Sequence, residues 1–223
     1  SNYFNFSAAN LTLDVSLHFG SLLAILLYFK KEILNFVKNK NLFLKMILGS
    51  LPVMIFGFFL IKFDLVDYLR NYKVIGWSTI IFGIFLYFSD QLNEKKSFNK
   101  DFGYKTALYI GLFQILSLIP GASRSGISIS GARFFNFNRI DAAKISFLLS
   151  IPTLSATSLF GLQKLIVENN LYISSVNLLG IFFSFIFSYL TINFLIKFLK
   201  KSNLTLFVIY RIFLGLIIVI YAY

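Results

Sequence analysis

The chain contains no cysteine, which excludes a disulfide framework and any thiolate metal site. It has one histidine, His18. The ordinary reading of that residue is a packed polar side chain in an apolar helix. Acidic residues are scarce, nine against 21 lysines and arginines, for a formal charge of +12. In a soluble domain that balance would hint at nucleic acid. Here the lysines cluster in loops between apolar runs, as in the cytoplasmic loops of membrane proteins, so no nucleic-acid partner is expected. Polar surface is also lacking. Hydrophobic residues make up 57% of the 223, Phe alone contributes 29, and mean hydropathy is +0.77. A water-soluble domain of this length would need a far more polar exterior, and several apolar stretches are long enough to cross or enter a bilayer.

The expected fold is an all-α integral membrane protein with six transmembrane helices, roughly 11–29, 44–61, 74–89, 143–163, 176–197 and 204–223. The run Val176 to Ile196 carries no charge and is the clearest of them. Asp14 and His18 enter the first. Fifteen of the 21 basic residues fall in segments 30–45, 90–105, 133–144 and 197–201, which places those loops in the cytoplasm and loops 62–73 and 164–175 outside. Segment 106–135 must then leave the cytoplasm and return. Its first apolar run, 106–119, would reach about 21 Å as helix, short of a hydrocarbon core of about 30 Å. It stops at Pro120-Gly121, and a second run, 126–135, follows. We therefore expect a re-entrant helical hairpin with its turn at 119–126. Irregular backbone at membrane depth is tolerated only where protein or a wet cavity surrounds it.

The turn region, "SLIPGASRSGISISG" (residues 117–131), gathers unusual chemistry. Arg124 is a guanidinium inside the membrane, where charge normally marks a site, and its fork of donors suits phosphate oxygens. Ser123 and Ser125 flank it with hydroxyls. Gly121 and Gly126 allow a tight turn and close approach of backbone to a ligand. A helix starting after Gly126 would aim free N–H groups and its positive end at the same spot, with Ser128 in its first turn. Gln114, one turn before Leu118, lies within reach of the cavity or makes an interhelical hydrogen bond. The structural alternative is that Ser125 merely caps a helix and Arg124 pairs with a buried acid. Arg211, in the last span, either snorkels to the cytoplasmic side, pairs internally or meets substrate.

The segment "GLFQILSLIPGASRSGISISGARFF", Gly111 to Phe135, resembles the second signature of the undecaprenyl-diphosphate phosphatase family, known also for bacitracin resistance. Ser128 stands where threonine is usual. "LDVSLHFGSLLAILLYFKKEI", "ISFLLSIPT" and "FVIYRIFLG" fit the same family in order, while Lys144 stands where the family has a glutamate. The resemblance implies a multi-pass enzyme of the bacterial cytoplasmic membrane. It would hydrolyse undecaprenyl diphosphate to undecaprenyl phosphate and inorganic phosphate and so recycle the carrier of cell-wall precursors. The second half would be an inverted repeat of the first: residues 1–100 would be the remainder of the first repeat, and 101–223 the second repeat with hairpin 106–135. Carried over, Arg124, Ser123 and Ser125 are the catalytic candidates, and Gly121, Gly126, Ser128 and Gln114 the substrate-binding ones.

The family also has a first hairpin with an E-x-x-x-E pair and an S-S-x-G-H signature. Neither occurs in this chain, which begins at Ser1 rather than methionine. The resemblance therefore implies that the ligands of a divalent cation, Mg or Ca, and the proposed catalytic histidine lie before Ser1, and that these 223 residues alone are inactive and poorly folded. The expected partners are a polyprenyl diphosphate lipid and the membrane; a homo-oligomer is left open, because the sequence does not fix the oligomeric state. A lipid or anion transporter, suggested by the broken helix, is the competing class. A purely structural membrane protein would leave the Arg-Ser-Gly cluster unexplained.

Overall fold

The computed structural model describes residues 6–38, 40–63, 69–167 and 175–223. Among them the fold is all helical: α1 Phe6–Tyr28, α2 Lys30–Lys38, α3 Lys40–Lys62, α4 Tyr72–Asp90, α5 Phe98–Asp101, α6 Tyr104–Ile115, α7 Arg124–Phe134, α8 Arg139–Val167, α9 Ser175–Leu199 and α10 Thr205–Ala222. A 3-10 turn, Leu116–Leu118, extends α6. Among the described residues five helices are long and apolar enough to cross a membrane: α3, α4, α8 through Gln163, α9 and α10. The sixth expected span forms α1, whose apolar part Thr12–Tyr28 is shorter. Segment 30–45, expected as a loop, is mostly helix. Parts of the two loops expected outside, 64–68 and 168–174, lie outside the described residues.

The surface is inverted relative to a soluble protein. Only 6% of the most apolar stretch of α9 is buried, and Phe182, Phe183, Phe187 and Phe194 lie exposed on it. In water such a face would be a large unpaired apolar patch. Against hydrocarbon it is the matched surface, and helices, which satisfy their own backbone, are the structures that can present it. The chain is therefore a multi-pass membrane protein.

Two compact units make up the chain, Ser1–Lys40 with Ser150–Leu195, and Asn41–Leu149 with Ile196–Tyr223. In the first, α1 packs on α9 through small residues. Ser21 Oγ lies 2.9 Å from Ser184 Oγ and 3.0 Å from Ser188 Oγ, and Ser184 Oγ donates to Leu17 O at 2.7 Å. Such hydroxyl seams hold helices together where lipid supplies no hydrophobic drive between them.

The second unit holds the hairpin. Helices α6 and α7 run antiparallel, with Phe113 against Phe134 and Phe135 at ring separations of 5.8 and 6.4 Å. At 1.5 Å per residue each arm is under about 20 Å long. Beside them α4 and α10 cross at Gly76 and Gly215. A Cβ on Gly76 would come 2.7 Å from Val219 Cγ2, and one on Gly215 would come 3.0 Å from Gly76 O. This close approach sets Arg211, one turn before Gly215, against Thr79 and Gly83.

The base of the hairpin is pinned by a buried ion network. Asp90, at the end of α4, accepts from Arg139 Nε at 2.7 Å and from Leu204 N at 3.0 Å. Arg133, fully buried at the end of α7, lies 3.6 Å from the same carboxylate and donates to Asp90 O at 2.8 Å and Phe137 O at 2.6 Å. Arg139 also donates to Glu94 at 2.9 Å. Asn138 caps α8, accepting from Asp141 N at 2.8 Å and donating back to its carboxylate at 2.7 Å. The ends of α4 and α7 and the starts of α8 and α10 thus meet at one end of the unit.

Candidate functional site

The other end of the hairpin, the turn 119–123, packs on α4 near its midpoint. Ser78 Oγ donates to Pro120 O, and Thr79 Oγ1, which donates to Ile75 O at 2.6 Å, lies 3.3 Å from Gly121 O. From the opposite side Arg211 Nη2 donates to Gly121 O at 2.9 Å and its Nε to Thr79 O at 3.4 Å. Thr79 lies eleven residues before Asp90, about 16 Å along the helix, so the turn stops part-way along its neighbours. Gly121 has φ +89°, and a Cβ there would strike Ser78 Oγ and come 2.5 Å from Ile75 O. Its role is thus seating the turn on α4, where glycine is needed twice over.

Helix α7 begins at Arg124, two residues earlier than the sequence suggests. The cap is Ser123, not Ser125. Ser123 takes φ +65°, and its Oγ accepts from Gly126 N at 3.3 Å. Among the described residues the amides of Arg124 and Ser125 have no acceptor, as expected for the first turn of a helix. Gly126 lies inside that turn, and a Cβ on it would come 2.8 Å from Arg211 Nη1. Two guanidiniums therefore flank one helix N-terminus, Arg124 carried by the helix itself and Arg211 brought in from α10.

The Arg124 guanidinium makes one hydrogen bond among the described residues, a long one of 3.4 Å from Nη2 to Leu149 O. The ion pairs of the described residues belong to Arg133 and Arg139, so neither Arg124 nor Arg211 is neutralised by a carboxylate. The buried-acid alternative for Arg124 finds no partner here, and most of its five donors are unused. Ser123 and Ser125 are exposed. Ser125 O accepts weakly from Ser146 Oγ at 3.4 Å, which seats the first turn of α7 on α8.

The other candidates are placed differently. Ser128 lies in the second turn, 1% exposed, and its Oγ donates to Arg124 O at 2.9 Å. Its hydroxyl proton is spent on the backbone. Gln114 is fully buried on the α6 face that carries Ala107, Ile110 and Gly111, and neither of its amide atoms has a hydrogen-bond partner. The interhelical bond considered for it does not form. Lys144 lies over the Phe98 ring at 4.7 Å, at the start of α8. Asp14 and His18 belong to the first unit and are exposed, so His18 is not a packed core residue.

Among the described residues no three of His, Cys, Asp and Glu gather into a metal-binding group. The turn itself presents guanidinium, hydroxyl and amide donors. These residues do not fit the divalent cation that the resemblance implies. Every donor at the turn favours an anion.

Residues 1–217 match the family model described as bacitracin resistance protein BacA. The chain belongs to that family. Curated BacA-like relatives include the undecaprenyl-diphosphatase of Pelagibacter ubique, 45% identical over 99% of this chain and 86% of its own length. Those of Jannaschia sp. and Saccharophagus degradans are 34% and 37% identical over 95% of the chain and 84% of their own lengths. The sequence signals for the BacA turn were the P-G-x-S-R-S-G motif and its position between apolar runs. Arg211 was visible as a charge in a span but carried no signal tying it to that turn.

Proposed function

We propose that the complete protein, to which these 223 residues contribute the hairpin turn, hydrolyses undecaprenyl diphosphate to undecaprenyl phosphate and inorganic phosphate, recycling the lipid carrier for peptidoglycan synthesis and conferring bacitracin resistance. The observation that carries the reading is the hairpin turn: two guanidiniums without carboxylate partners on either side of a helix whose first two amides are free. A diphosphate is the anion such a fork-and-amide cradle suits. The transporter alternative has lost its support, since the relatives bear the name of a diphosphatase.

In this mechanism the diphosphate docks with its oxygens on Arg124 and the amides of Arg124 and Ser125, with the Ser123 and Ser125 hydroxyls beside them. Water oxygen bonds to the terminal phosphorus, and the proton it sheds is taken up by the departing lipid monophosphate. The bridging P–O bond breaks, and its electron pair leaves on the lipid monophosphate. Arg124 stabilises the charge that grows on the equatorial and leaving oxygens, the largest single contribution a preorganised donor makes. Arg211 acts as a positioning residue, holding Gly121 O and closing the far side of the first turn.

The finer architecture belongs to the same proposal. The protein spans the bacterial cytoplasmic membrane six times, and hairpin α6–α7 is re-entrant, with its turn near mid-depth. Residues 101–223 repeat in inverted form what begins in residues 1–100. The turn's contact with the midpoint of α4 supports the re-entrant reading.

The test is phosphate release from a polyprenyl diphosphate by Arg124→Ala in the complete protein in mixed micelles. Loss of one such donor lowers turnover by about a hundredfold to a thousandfold, while insertion and yield stay those of the unaltered protein. Turnover at the unaltered rate would remove Arg124 from the site.

A further inference from the structure

At the base of the hairpin, about 16 Å along α4 from the turn, the second unit holds a separate cleft of about 570 Å³. Arg139 and Ile140 at the start of α8, Glu94, and the α9–α10 connection Leu199–Asn203 line it. Its charge is unbalanced in a specific way. Glu94, the one carboxylate of the lining, is taken by Arg139 at 2.9 Å and Arg133 at 3.7 Å. Asp90 behind it is taken by Arg139 and Arg133. Lys200 and Lys201 have no ion pair among the described residues. Four cations thus face two carboxylates, and both unpaired ammoniums stand on the rim.

Their position is fixed by the backbone. Lys201 N and Ser202 N both bond to Phe198 O at 3.0 Å, closing α9, and Thr205 N bonds to Asn203 Oδ1 at 3.2 Å, opening α10. The rim therefore lies where two spans end, at the boundary of the bilayer, beside the most lipid-exposed helix. Ile140 and Leu199 give the cleft an apolar flank. A volume of this size falls in the range of small-molecule sites and exceeds what a bare ion needs. Lysines at a bilayer boundary attract anionic headgroups, and basic pockets between helices hold them.

We propose that this cleft binds a phosphate-bearing anion through Lys200 and Lys201, supplied either by the headgroup of an anionic bilayer lipid or by free phosphate. It is independent of the hairpin turn and uses none of its donors.

The full chain, reconstituted with phosphatidylcholine alone or with added phosphatidylglycerol, tests it. The readouts are retained phosphatidylglycerol and the shift in melting temperature, with inorganic phosphate titrated in the zwitterionic arm. The double variant Lys200→Gln/Lys201→Gln is expected to bind about twenty-five-fold more weakly, from about a five-fold loss per lysine. Lys197→Gln, on the same helix end but outside the cleft, should bind as the unaltered protein does, and Lys200→Arg/Lys201→Arg should keep most of the affinity. Loss in the phosphatidylglycerol arm alone identifies a lipid headgroup; loss in the phosphate arm identifies the free ion. The proposal is overturned if the double Gln variant binds like the unaltered protein, if Lys197→Gln weakens binding as much as the pair does, or if neither probe binds the unaltered protein.

Discussion

Gly126→Ala sets two effects of opposite sign against each other at the turn. Alanine in place of glycine inside α7 should stabilise the helix by about 0.5–1 kcal/mol. The added methyl would lie 2.8 Å from Arg211 Nη1 and 3.3 Å from Ser123 Oγ. Ordinary contact needs about 3.5 Å, so the guanidinium must retreat by about 0.7 Å. Directed along its bond to Gly121 O, now 2.9 Å, that shift gives about 3.6 Å, outside hydrogen-bond range. A hydrogen bond from a charged donor contributes about 1.5–3 kcal/mol. The bond is the larger effect, and the variant should be destabilised by about 1–2 kcal/mol. In an Arg211→Ala background only the Ser123 contact at 3.3 Å remains, which a shift of a few tenths of an ångström relieves, and the same substitution should become stabilising by about 0.5–1 kcal/mol. Denaturant titration of the four proteins in mixed micelles measures the cycle, with an expected coupling of about 1.5–3 kcal/mol. Phosphate release should fall in Gly126→Ala as Arg211 loosens its hold on the turn. A substitution at 126 with the same sign and size in both backgrounds would refute the contact and the positioning role built on it.

Two further outcomes follow from burial. Asp90→Ala strips Arg133, fully buried, of its nearest carboxylate and should cost about 3–5 kcal/mol, whereas Arg139→Ala, removing a partly exposed partner, should cost about 1 kcal/mol; equal losses in unfolding titrations would contradict the network. Gln114→Met replaces two buried, unpartnered amide atoms by an apolar chain of similar length and should raise stability by about 1 kcal/mol. Phosphate release drops with it if the amide reaches the diphosphate, and unchanged turnover would take Gln114 out of the binding set.

Much of this protein is readable along the chain. The apolar runs, the lysine-rich connections and the lack of polar surface set its class, because a bilayer leaves helices as the solution for such segments. The P-G-x-S-R-S-G motif located the turn, and an apolar arm too short to span located the hairpin. Smaller assignments went astray by a residue or two. Helix α7 starts at Arg124 with Ser123 as its cap, before Gly126, and Ser128, expected in the first turn, consequently falls in the second with its hydroxyl on Arg124 O.

Hydropathy and motif by themselves determined a helical membrane protein with an anion-seeking hairpin, since both are properties of neighbouring residues. Tertiary structure alone decided which distant groups meet there. Arg211 reaches Thr79 across 132 residues and Gly121 across 90, because Gly76 and Gly215 let α4 and α10 approach closely enough to set that side chain beside the turn. Such pairings depend on shape fitting shape between helices, and a periodic apolar pattern, which tells lipid face from protein face, does not say which helix the protein face will find.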